Sequence, residues 1–177
     1  MVKTKSANEL SIGEILDLCQ YDVSHRQRYT DELEPCSRFR WDKIVSLINS
    51  SYGMECTIEE FKSQIPSFGD KGQFWVSKVK YDLTNFVKAY QISIIVESCL
   101  NRHTNMLKEE DINWDKLLSM IHTIYGVSVP KWQLFHPGVN NNKPEDILKR
   151  ISDKIFWSGN SDRVIFTASE FKRLMLK

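Results

Sequence analysis

A mostly helical fold of two related modules, with one small β-hairpin, is predicted by three features of this sequence. Residues 41–53 read WDKIVSLINSSYG and residues 114–126 read WDKLLSMIHTIYG, the same segment displaced by 73 positions with seven identities in thirteen. Both copies place apolar residues at the Trp and at +3, +4, +7 and +11, which is one face of a 3.6-residue helix. Each copy then ends in glycine, Gly53 or Gly126, where a helix is commonly stopped by a residue that tolerates positive φ. The pattern is that of a duplicated helical module.

Taken in order, residues 1–8 are polar. Ile12, Ile15, Leu16 and Cys19 then mark a short amphipathic helix, opened by Ser11 and Glu14 at capping-box spacing. Residues 21–40 are polar, mixed in charge and interrupted by Pro35, and read as a linker. Module one, residues 41–100, continues from its repeat helix through a short extended stretch, MEC. A second helix, TIEEFKSQI, follows, capped by Thr57 and Glu60 and ended by Pro66. After the turn PSFGDKG, the positions Val76, Val79, Leu83, Phe86, Tyr90 and Ile94 step by three and four as in a long helix. The β-branched run ISIIV at 92–96 fits a strand equally well, so both assignments stand.

Residues 101–113 form a second polar connection, with Glu109, Glu110 and Asp111 placed to favour the dipole of the helix that follows. Module two, residues 111–177, gives the repeat helix and then VSV as a candidate strand. Pro130 and KWQLF come next, and Pro144 stands at the start of PEDILKRISDKI. Two aromatic and β-branched runs around SGNSD form a hairpin pattern, and Thr167 with Glu170 opens a terminal helix, ASEFKRLMLK. Helix, short strand, helix, helix, hairpin is the order of a winged helix, a helix-turn-helix variant, so tandem modules of that kind are expected. Module one shares the first three parts.

Composition narrows the function classes. With 177 residues, 41% hydrophobic, 27% charged and a net charge of +1, the chain matches an ordinary soluble protein. It carries no global charge that draws it to nucleic acid or to a membrane. Cys19, Cys36, Cys56 and Cys99 form no CxxC pair, which favours free thiols in a reducing compartment. No signal peptide follows the basic N-terminus, and the longest apolar run, residues 92–96, is far too short to span a bilayer. An intracellular protein, nuclear or cytoplasmic, is expected.

Catalytic patterns do not emerge. GDKG at 69–72 is too short for a phosphate-binding loop, and GxSxG, HExxH and calcium-loop motifs are missing. Cys99 and His103 have metal-ligand spacing on a helix, but nothing supplies two further ligands, so a buried thiol beside a solvated histidine is expected and no metal or cofactor is assigned. His122 and His136 read as surface or capping residues. No acid–base pair stands at a readable spacing, so the chain is expected not to be an enzyme, and no small-molecule substrate is implied.

Two binding chemistries remain open. Lys143, Lys149, Arg150, Lys154 and Arg163 fall on the third helix and wing of module two, the usual nucleic-acid surface of a winged helix. Glu145, Asp146, Asp153 and Asp162 lie among them, as on a solvated face of mixed charge. In module one, Lys78, Lys80 and Lys88 alternate with Phe74, Trp75 and Tyr81, a stacking-plus-charge pattern that also fits core aromatics with lysines at the rim. Trp41 and Trp114 belong to the core pattern. Trp75, Trp132 and Trp157 are the surplus tryptophans, and an exposed tryptophan anchors protein interfaces. An adaptor subunit of a nucleoprotein or regulatory complex, holding protein partners, is the first expectation; direct DNA or RNA binding is the alternative.

Two families share features with module two. WDKLLSMIHTIYGVSV, PEDILKRISDKIFW and SDRVIFTA resemble the first helix and strand, the third helix and the returning wing strand of the LOTUS (OST-HTH) winged helix. ASEFKRLMLK matches the further helix of its extended members. That resemblance implies RNA binding, docking of a DEAD-box helicase, or dimerisation. The spacing of Trp114 and Trp132, with Tyr125-Gly126 after the first helix, is similar to a Myb/SANT repeat, in which Ile151 would stand at the third tryptophan. Module one has Glu59 at the second tryptophan position, and a hairpin has no place in that fold, so winged helix accounts for more of the chain.

Overall fold

A computed structural model describes residues 9–20, 39–68, 76–136, 142–157 and 165–176. They form seven α-helices: α1 Ile12–Cys19, α2 Trp41–Tyr52, α3 Ile58–Gln64, α4 Val76–Ser98, α5 Trp114–Tyr125, α6 Pro144–Trp157 and α7 Ala168–Met175. Single 3-10 turns at Glu109–Asp111 and Lys131–Gln133 complete the set. The mostly helical class expected from periodicity is present. The described residues contain no β-ladder, only isolated antiparallel bridges, Gln20 with Phe39 and Leu100 with Ile112. Residues 127–129, a candidate strand by composition, belong to no strand. Of the hairpin expected over 155–167, the first arm, residues 155–157, is the last turn of α6, and residues 165–167 belong to no strand. Residues 158–164 lie outside the described residues, as do residues 21–38 of the linker, GDKG, Cys36, Trp75 and Arg163.

The chain divides into two compact units. Unit one comprises Met1–Phe86 with Thr167–Glu170, and unit two comprises Val87–Phe166 with Phe171–Lys177. The sequence reading places a boundary after residue 100 and sets residues 1–40 apart. The division between the two compact units falls inside α4, and α1 packs on α2 within unit one. Residues 92–96 are helical. Ile92, Ile95 and Val96 are buried at i, i+3 and i+4, continuing the stripe of Val79, Leu83 and Val87, so one helical face outweighs local β propensity.

Inside each unit the duplication is closer than the sequence discloses. At the constant offset of 73, Phe39 pairs with Ile112, Ile44 with Leu117, Ile48 with Ile121, Tyr52 with Tyr125 and Phe61 with Leu134, and every one of these is buried. Trp41 stacks on Phe68 at 4.6 Å between ring centroids, and Trp114 meets Phe135 edge-on at 5.8 Å. Gly53 and Gly126 stop their helices at φ 68° and 69°, the left-handed region, as their position predicts.

A further correspondence precedes the repeat. Cys19 O accepts from Arg40 N at 2.7 Å in unit one, and Cys99 O accepts from Asn113 N at 2.8 Å in unit two. Lys43 Nζ donates to Leu18 O at 3.3 Å, and Lys116 Nζ donates to Ser98 O at 2.9 Å. Thus α1 plays in unit one the part that the end of α4 plays in unit two. Each module opens with a helix that ends at a buried cysteine, whose carbonyl pins the start of the WDK helix.

Candidate functional site

Trp132 lies on the 3-10 turn Lys131–Gln133 of unit two. Pro130 has the extended backbone of its N-cap, and the next residues, Leu134 and Phe135, are buried. The turn is therefore clamped at its far end by core side chains, which leaves the indole to face outward. Trp132 is 69% exposed, whereas Trp41 and Trp114 are in the core. The neighbouring Lys131 ammonium pairs with the carboxylate of Glu109, which opens the 3-10 turn Glu109–Asp111. The backbone carbonyl of Glu109 also accepts the indole N–H of Trp114 at 3.0 Å. A large rigid aromatic surface thus stands on a backbone tied into the core.

Asn142 fixes the chain behind that turn. Its amide nitrogen donates to His136 O at 2.7 Å, its Oδ1 accepts from His136 N at 3.1 Å, and its carbonyl accepts from Leu107 N at 2.9 Å. Arg150 Nη1 donates to Asn142 Oδ1 at 2.9 Å and to Leu134 O at 2.8 Å. Arg150, expected on an outward basic face, is half-buried and spends its guanidinium on these loops. Arginine suits the task, because one planar fork reaches two acceptors. Unit one solves the equivalent problem with Asn49, which bonds both backbone groups of Cys56 at 2.9 and 3.1 Å. His122 takes that place in unit two, its Nδ1 3.2 Å from Ser128 Oγ.

The other basic candidates separate. Lys143 and Lys149 are exposed and Lys154 is half-buried, all in unit two. In unit one, Lys78 donates to Asp82 Oδ1 at 2.9 Å and lies 5.4 Å from the centre of the half-exposed Tyr81 ring. Asp82, nearly buried, also accepts from Ser67 N. Lys78 is thus held as a structural ion, while Lys80 is exposed. The side chain of Trp157 lies outside the described residues.

Cys99 and His103 diverge. Cys99 is buried with its Sγ 3.7 Å from Met120 Sδ, and burial pushes its thiol pKa up. His103 is exposed in the loop that follows. Among the described residues no group of three or more potential ligands comes together for a metal ion, and no helix is long and apolar enough to cross a membrane.

The sequence places Lys88 on a basic surface and announces no cavity, and the structure differs on both counts. Lys88 is buried in unit two, its Nζ 5.9 Å from the ring centre of the half-exposed Phe156. Desolvation lowers its pKa, opposed by the charge of Asp153. A cavity of about 380 Å³ opens in the same unit between α4, the loop after it and the first turns of α6. Only the meeting of segments some 50 residues apart creates it, and no local pattern announces such a meeting.

Comparison with protein-family models, with curated proteins and with solved structures returns no match.

Proposed function

We propose that this chain is an interaction module, an adaptor subunit of a nucleoprotein or regulatory complex that holds a protein partner on the Trp132 face of unit two. One observation carries the reading: a tryptophan 69% exposed on a turn whose backbone is fixed by the core. Leaving so large an apolar surface in water forgoes its burial, and tryptophan is enriched among residues that dominate binding energy. Module two is read as winged-helix-like, which the succession of α5, the 3-10 turn and α6 supports. An intracellular setting is supported by Cys19, Cys56 and Cys99, all buried free thiols.

Direct binding of DNA or RNA is the second reading, favoured by the exposed Lys143 and Lys149 at the start and on the surface of α6. It is weakened by Arg150, whose charge is committed inward. One experiment weighs both. The tagged full chain is used to capture partners from its native cells, with and without nuclease, beside Trp132→Ala and the pair Lys143→Glu, Lys149→Glu. Partners that survive nuclease and disappear with Trp132→Ala are the expected result. Partners insensitive to Trp132→Ala but lost with nuclease and with the charge reversals overturn the adaptor reading in favour of the second.

A further inference from the structure

The cavity of unit two has a two-part lining. Val96 on α4, Leu100 just after it, and Pro144 and Leu148 on α6 supply apolar walls. Its volume, about 380 Å³, lies in the range of small-molecule sites, roughly 300–1,000 Å³. The polar lining is unusual in what it offers. Ser93 Oγ donates its hydrogen to Tyr90 O at 2.5 Å, and Thr104 Oγ1 donates to Met106 O at 2.9 Å. While they make these bonds both hydroxyls turn lone pairs toward an occupant, and His103 and Asn105 complete the polar lining. Glu97 adds a carboxylate that is exposed and makes no hydrogen bond or ion pair among the described residues. No lysine or arginine lines the cavity.

Apolar walls beside a single carboxylate, with no lysine or arginine to neutralise it, favour a ligand with an apolar body and a positive head, to which the imidazole of His103 and the amide oxygen of Asn105 offer further polar partners. We infer that this cavity binds a small amphipathic cation, an ammonium group carried on an aryl or alkyl body. The body fills the space between Val96, Leu100 and Leu148, and the head pairs with Glu97 and donates to the Ser93 and Thr104 hydroxyl oxygens. The site is separate from the Trp132 turn, none of whose residues lines it. Arg102 and Lys143 adjoin lining residues in sequence, so an anion of the same shape is the necessary control.

The test follows backbone amide signals of the isotope-labelled full chain by NMR during titration with phenethylammonium, 2-phenylethanol and 3-phenylpropionate. Phenethylammonium is expected to shift the amides of Leu100, His103 and Leu148 saturably in the millimolar range, the alcohol more weakly, and the carboxylate not at all. Glu97→Gln, an exposed and isosteric change, is expected to weaken the amine about two- to five-fold and leave the alcohol unchanged, the ratio for one partly solvated ion pair. Leu148→Trp, which fills the space, is expected to abolish the responses to the amine and the alcohol. A doubly capped Leu-Lys dipeptide distinguishes sources of the same chemistry: tighter binding than phenethylammonium assigns the cation to a peptide side chain, weaker binding to a free amine. Equal binding of amine and carboxylate overturns the inference. So does an amine affinity that Glu97→Gln leaves unchanged, or the absence of saturable shifts with every probe.

Discussion

At Gly53 two constraints meet. Its φ of 68° is disfavoured for any residue with a Cβ, and a Cβ built there would lie 3.2 Å from the Ala168 Cβ. Gly53→Ala is therefore expected to destabilise unit one by about 1–2 kcal/mol for the left-handed backbone alone, with the close approach adding to it. A urea midpoint equal to the wild type would contradict this. Asn49→Ala removes both bonds to Cys56 and leaves two half-buried backbone groups without those partners, a cost of about 1–3 kcal/mol readable in the same experiment. Ionisable groups predict an alkaline limit. Burial raises the Cys19 and Cys56 thiols from 9.0 to about 11 and the Tyr52 phenol from 10.0 to about 12. Each folded pKa exceeds its unfolded value, so this part of the stability is complete below pH 9 and is lost as pH rises through about 11 to 12. Denaturation midpoints should hold from pH 7 to 9 and fall above it; a midpoint as high at pH 11 as at pH 8 would refute the assignment. The glycine stops and the capping pairs at Ser11 and Thr57 were legible because they depend on neighbours in sequence. The inward turn of Arg150 was not, since its acceptors, Leu134 O and Asn142 Oδ1, are set by a loop that folds back.

Among the elements, α6 shows how a charge pattern misleads. Lys149 and Arg150 are adjacent in sequence, yet one is exposed and the other ties loops together, because successive helical residues point about 100° apart. Arg150→Ala is expected to cost about 1.5–3 kcal/mol of stability, the range for hydrogen bonds to charged groups. Lys149→Ala should stay within about 0.5 kcal/mol of wild type. Thermal unfolding of the two variants measures the contrast; equal effects would place the Arg150 side chain in solvent. The repeat helices α2 and α5 were legible from their apolar stripe and identical residues. The kinship of α1 with the end of α4 was hidden, because the offset there is 80 instead of 73. The connection between the bridged residues Gln20 and Phe39 is longer than that between Leu100 and Ile112. What the two segments share is backbone geometry, a carbonyl accepting from the residue before the Trp helix, and sequence is nearly silent about that.

On the scale of the whole molecule, each unit is assembled from two stretches of chain, and α7 supplies both: Ala168 lies against Gly53 in unit one, and Phe171 joins the core cluster of unit two. A chain ending at Phe166 is therefore expected to lose amide hydrogen-exchange protection in residues 41–56 of unit one as well as in α6 of unit two. Unchanged protection in 41–56 would show Thr167–Glu170 to be dispensable there. The same feature has a consequence for biosynthesis. Thr167 leaves the ribosome about 80 residues after Phe86, a delay of roughly 4–16 s at ordinary elongation rates. For that interval the nascent unit one has its Trp41 helix and its glycine stop but not the Thr167–Glu170 segment that belongs to the same unit. Synonymous codons that slow translation between residues 87 and 166 then lengthen the time unit one spends incomplete without altering a single amino acid.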